Sequence, residues 1–152
     1  MSVVAAIRPD DWNFPLFVHV LGAMILVGGL VAGGGALAAG RGARFLRLGY
    51  WSLLLVALPG WIVMRIGGQW IASKEGLDDL PDDVVPTWLE LGFVIADLGG
   101  VLLLVSLVVG GIGVYRLRSG KSAGLVTASL VLALVLLAAY LVAAWAMAGK
   151  PD

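Results

Sequence analysis

FPLFVHVLGAMILVGGLVAGGGALAA, residues 14–39, runs for 26 residues without a charged side chain. A helix needs ~20 apolar residues to cross the hydrocarbon of a bilayer. The stretch is too long for the apolar region of a signal peptide and no basic segment introduces it, so it is expected to stay in the protein as a span. Three further long apolar stretches follow, at 45–73, which contains Arg65, at 88–115, which contains Glu90 and Asp97, and at 125–148. None alternates polar and apolar residues as the strands of a membrane barrel do. The whole chain is 61% hydrophobic and 13% charged with a mean hydropathy of +1.01. A soluble domain has about 25% charged residues. A chain of 152 residues is also too small to hide such an apolar excess in its own core, so lipid must solvate much of it. The expected fold is therefore all-α: a four-helix transmembrane bundle forming one domain over residues 1–152, multi-pass in the cell membrane.

Charge placement gives an expected orientation. Arg41, Arg44 and Arg47 lie between the first two spans, and Arg116, Arg118 and Lys121 between the last two, with no acidic residue among them. The opposite side carries Arg8, Lys74 and Lys150 against nine acids, five of them in the loop 74–87 at Glu75, Asp78, Asp79, Asp82 and Asp83. Basic loops stay in the cytoplasm, so both termini and the acidic loop are expected outside. That loop lacks the D-x-D-x-D-G spacing of a calcium loop and reads as a solvated acidic segment, flanked by Trp70 and Trp88 as interfacial anchors.

Small residues predict how the helices meet. His19, Gly22, Leu26, Gly29, Gly33, Ala36 and Gly40 share one face of the first span, and small residues in a membrane mark the face that another helix approaches. In the third span a comparable row is expected at Glu90, Phe93, Asp97, Gly100, Leu104, Leu107 and Gly111. Pro59 removes one amide from the second span and frees the Leu55 carbonyl, which predicts a kink.

Polar residues inside spans are the candidate site. At ~1.5 Å per residue, His19 lies ~8 Å in from Phe14, Arg65 ~12 Å in from Ser73, Asp97 ~14 Å in from Trp88, and Tyr140 ~12 Å in from Ala148. All four are measured from the same side of the membrane, so four helices bring one polar side chain each to a common layer, with Glu90 nearer the surface. Arg65 and Asp97 are expected to pair, because an unpaired charge at that depth is costly. Two readings of the layer follow: a structural ion pair with His19 and Tyr140 hydrogen-bonded beside it, or a small cavity that holds a ligand or passes a proton. The chain has no cysteine and one histidine, which rules out thiolate chemistry and leaves too few ligands, with the nearby carboxylates, for a tetrahedral zinc site. Met24, five residues beyond His19, lies off its face, and Ser106 and Ser129 fall in the other half of the bundle, so neither a His/Met pair nor a Ser–His–Asp set forms on one face.

The segment FVHVLGAMILVGGLVAGG, with the RLGYWSLLLVALPGW that opens the second span, resembles a small uncharacterised bacterial family of four-helix integral membrane proteins. More distantly, the H-x-x-G-A-x-x-x-x-G-G of residues 19–29 is similar to the first histidine helix of copper-resistance D-type and protoporphyrinogen-oxidase-like membrane proteins. The distant resemblance covers one helix and implies haem or copper at His19. The leading expectation is a non-catalytic accessory subunit or small-ligand-binding protein, with haem or copper binding at His19 as the alternative and a proton-linked transporter or channel as the third. Expected partners are the lipid bilayer and other membrane subunits or further copies of this chain, with no nucleic acid.

Overall fold

A computed structural model of the chain describes residues 10–39, 42–77, 81 and 85–149. All the regular structure among them is helical: α1 (Asp10–Ala39), α2 (Ala43–Ser52), a single π-helical turn (Leu53–Ala57), α3 (Leu58–Glu75), α4 (Thr87–Arg118) and α5 (Gly124–Gly149). The π turn joins α2 and α3 into one continuous span, so four rods run up and down, each long and apolar enough to cross a membrane. One end of the bundle carries Arg44, Arg47, Arg116, Arg118 and Lys121, and the other carries Asp11, Glu75 and Glu90. The predicted spans hold, and each extends by one to four residues at its ends. The acidic residues Asp78, Asp79, Asp82 and Asp83 lie outside the described residues, as do Gly40 and Arg41.

The row of small residues on α1 does what its spacing predicts. A Cβ on Gly22 would strike the Met64 backbone, and one on Gly29 would lie 2.5 Å from the Ala57 amide nitrogen. The second span answers with glycines of its own. Gly60 meets the Leu26 backbone, and a Cβ on Gly67 would lie 2.5 Å from the His19 nitrogen. Backbone therefore lies on backbone along the seam from His19 and Gly67 to Gly29 and Ala57, the close approach that draws helices together where lipid is as apolar as leucine, while Gly33 and Gly49 nearer the basic end receive the side chains of Leu53 and Ala36. At the acidic end, the edge-to-face rings of Phe14 and Trp70, 5.8 Å apart, and a Lys74–Asp11 ion pair of 3.2 Å finish it.

The span expected to kink at Pro59 holds a π turn just before the proline. The Leu58 amide reaches five residues back to the Leu53 carbonyl, which inserts one residue into the helix. Across the seam, Gly29 and Ala36 on α1 are seven residues apart, while their partners Ala57 and Gly49 are eight apart. The extra residue thus sits between these two contacts, and the helices stay in register across the π turn. Ser52 donates to the Gly29 carbonyl across the same stretch at 2.9 Å.

The third-span row needs correction. Of the predicted row, Gly100 and Leu107 are buried and Phe93 and Gly111 half-buried, but Glu90, Asp97 and Leu104 are exposed. A second row, Leu89, Gly92, Gly99, Leu103, Ser106, Gly110 and Gly113, is buried along its length. Two rows of small residues interleave on this helix, and the row led by Gly92 is the one that α5 covers. There Ser106 and Ser129 donate to each other's backbone carbonyl, at 3.0 and 2.8 Å, with both residues fully buried.

Candidate functional site

α1 packs along α3, and α4 along α5, but α3 and α4 barely touch. The space between them is bridged by side chains. Trp61 lies against Gly100 and donates its indole N–H to the Ala96 carbonyl at 2.9 Å. Nearer the acidic end Arg65 reaches Asp97, with Nε to Oδ1 at 2.7 Å and a second contact at 3.4 Å. The predicted ion pair is therefore present and two-pronged, the geometry that suits a guanidinium to a carboxylate. Arg65 also donates to Gln69 Oε1 at 2.9 Å and lies 5.6 Å from the Phe93 ring centre.

Because α3 and α4 stay apart above Trp61, a cavity of about 190 Å³ lies there, with Leu77 and Trp88 among its lining residues at the acidic end. A second, of about 110 Å³, continues inward to Leu26, Val27 and Tyr140. His19, Met64, Gly92, Ala96 and Met147 border both. The walls are mostly apolar, with few polar groups, the usual make-up of a small-molecule site.

His19 stands at the junction of the two spaces. Its backbone rests on Gly67, and its ring lies over Gly68. Nδ1 is 2.8 Å from the Met64 carbonyl oxygen. A carbonyl oxygen only accepts, so Nδ1 carries the proton, and in the neutral ring Nε2 keeps its lone pair. The sequence expectation that the imidazole faces protein is met: the glycine face of α1 turns it onto α3.

Tyr140 is 6% exposed and borders the inner cavity. Its hydroxyl sits where Gly99 leaves room for it and has no hydrogen-bond partner among the described residues. The expected hydrogen bond from Tyr140 within a structural layer is thus absent, and the residue instead presents an unsatisfied hydroxyl at an internal space.

The five sequence candidates separate into three groups. His19 and Tyr140 share the inner cavity, and His19 and Arg65 share the outer one. Asp97 holds Arg65 from outside both, with 58% of its side chain exposed. Glu90 is exposed in the first turn of α4 and borders neither space. Met64 and Met147 were not singled out by the sequence, where a methionine in an apolar run carries no signal of its own. Met24 is 68% exposed, on the opposite side from His19's contacts.

No protein-family model, curated protein or solved structure matches the chain.

Proposed function

We propose that the protein binds a small, largely apolar molecule with one polar group in the cavities bordered by His19 and Tyr140. It does so in the cell membrane, with both termini and the cavity mouth on the outer side. The Tyr140 hydroxyl carries this reading. A buried hydroxyl left unpaired costs about 1–3 kcal/mol, which a ligand oxygen or nitrogen would recover. His19 borders the same space, and Arg65 brings a cation to the larger one. The orientation rests on the basic residues gathered at the opposite end. The two volumes suit a compact molecule, since sites for drug-sized ligands occupy ~300–1,000 Å³.

Thermal unfolding in detergent with phenol, indole or cyclohexanol tests the reading. At saturation at least one compound should raise Tm by about 5 °C. Tyr140→Phe should be at least as stable as the wild type without ligand and should lose most of that shift, and Ala143→Leu, which fills the inner cavity, should lose all of it. No shift with any compound, or equal shifts in all three proteins, contradicts the proposal.

The resemblance of α1 also implies haem or copper at His19. Haem does not suit this chain: the spaces beside His19 are about 190 and 110 Å³, too small for a porphyrin, and Met24 faces away. Nor can two copies share a haem through His19, whose ring is held inside the α1–α3 seam. Copper(I) fares better, because Met64 and Met147 bring soft thioethers to the cavities that His19 borders. Titration of copper(I) against a chromophoric chelator tests this second reading. It predicts a site lost in His19→Gln and weakened in Met147→Leu, and equal copper uptake by all three proteins contradicts it.

A further inference from the structure

The Arg65–Asp97 pair lies on the outside of the bundle. Asp97 exposes 58% of its side chain and Arg65 29%, and Gln69 beside them is exposed as well. Around this polar trio the surface is apolar: Ile62, Ile66, Val94, Leu98 and Val101 are each 45–59% exposed. Both charged residues sit roughly ten residues inside their helices, ~15 Å from the acidic end. Acyl chains at that depth offer no hydrogen bonds, and an exposed charge there goes unsolvated.

We infer that a second copy of this chain covers the face formed by α3 and α4, with the two Arg65–Asp97 pairs meeting across a two-fold axis. This rests on the chain spanning a membrane and is independent of what the cavities hold. The guanidinium has five N–H donors, and three of them are directed at Asp97 and Gln69. Among the described residues two donors remain on Arg65, and each Asp97 oxygen keeps acceptor capacity. A helix without polar residues would satisfy neither. The same face turned about a two-fold axis satisfies both, because it brings an arginine opposite an aspartate and an aspartate opposite an arginine. The resulting ring of four alternating charges has no net charge. The interface is isologous, the arrangement that closes at two subunits, and the apolar residues around the trio seal it from lipid on every side.

The chain has no cysteine, so single-cysteine variants report proximity between copies without background. Ile62 is three residues from Arg65, and Val101 is four from Asp97, each on the helical face of its charged neighbour. Mild oxidation of membranes holding Ile62→Cys and Val101→Cys chains together should give the mixed disulfide-linked dimer at least tenfold more efficiently than Met24→Cys and Val142→Cys chains together, whose cysteines are exposed elsewhere on the bundle. Adding Asp97→Asn to both chains of the first pair should cut the yield at least threefold, and the exchange of Arg65→Asp with Asp97→Arg in both chains should restore it. The inference is overturned if cross-linking at residues 62 and 101 is no higher than at the controls, as it would be if lipid or a different protein covered the face. It is equally overturned if the charge exchange fails to restore a yield that Asp97→Asn has lowered. Should the charge variants fail to fold, the yields of the two single-cysteine pairs decide by themselves.

Discussion

Two seams of the bundle are closed by different means. Between α1 and the second span, glycines at residues 22, 29, 60 and 67 let backbone meet backbone over about three turns of each helix. Between α3 and α4 the backbones stay apart, and the gap is crossed by Trp61, Arg65 and Asp97. The first seam leaves no room for anything else. The second is a frame of side chains around a space, and it leaves both a cavity behind the frame and an exposed ion pair in front of it. In a medium where apolar contact between helices carries little driving force, the choice of residue at a seam decides whether helices merge or leave a site between them.

The comparison is broken most directly at the glycines. Gly60→Ala and Gly22→Ala should each lower stability by about 3 kcal/mol, since even a methyl group meets fixed backbone. Gly35→Ala, with open space around it, should stay within about 0.5 kcal/mol of the wild type. Reversible unfolding in mixed micelles measures both, and similar values for residues 35 and 60 would mean that the seam is not closed by backbone contact. At the open seam, Asp97→Asn should cost about 2 kcal/mol, because Arg65 is left with an uncompensated charge. The same change made on an Arg65→Gln background should cost far less, and an equal cost in both backgrounds would show that the two residues do not act as a pair. The smallest effect is expected at the α4–α5 seam. Ser106→Ala removes one of two reciprocal hydrogen bonds and should cost about 0.6–1 kcal/mol. A loss of several kcal/mol there would move the main polar lock of the bundle from Arg65 to the serines.

Much of this was legible in the residues. The four spans follow from run length, and the inward turn of His19 follows from the glycines that share its face. The Arg65–Asp97 pair follows from two opposite charges at equal depth. What was not legible depends on how far each helix is rotated about its axis. On α4, Gly92, Gly99 and Gly110 form one small-residue row and Gly100 and Gly111 another, and spacing alone does not say which row α5 covers. The same ambiguity hid the exposure of Asp97, since the row that held it looked like an interior one. Ser106 and Ser129 are lone hydroxyls in long apolar runs, and their pairing appears only once α4 and α5 are set side by side. Tyr140 illustrates the reverse case: its depth was readable, but the missing partner depends on what Gly99 leaves open beside it.

The central claim is that the space behind the α3–α4 frame is a water-accessible cavity opening on the outer side of the membrane. Ala96 borders both halves of that cavity, Ala133 is fully buried in the opposite half of the bundle, and Gly42 lies in the basic loop. Each is changed singly to cysteine, and intact cells are treated with a small, membrane-impermeant thiol reagent. The account predicts that Ala96→Cys is modified in intact cells, that Gly42→Cys is modified only after the cells are opened, and that Ala133→Cys is modified in neither state. Labelling of Gly42→Cys in intact cells would reverse the orientation. Failure of Ala96→Cys to react before or after opening would remove the cavity on which the proposed function stands.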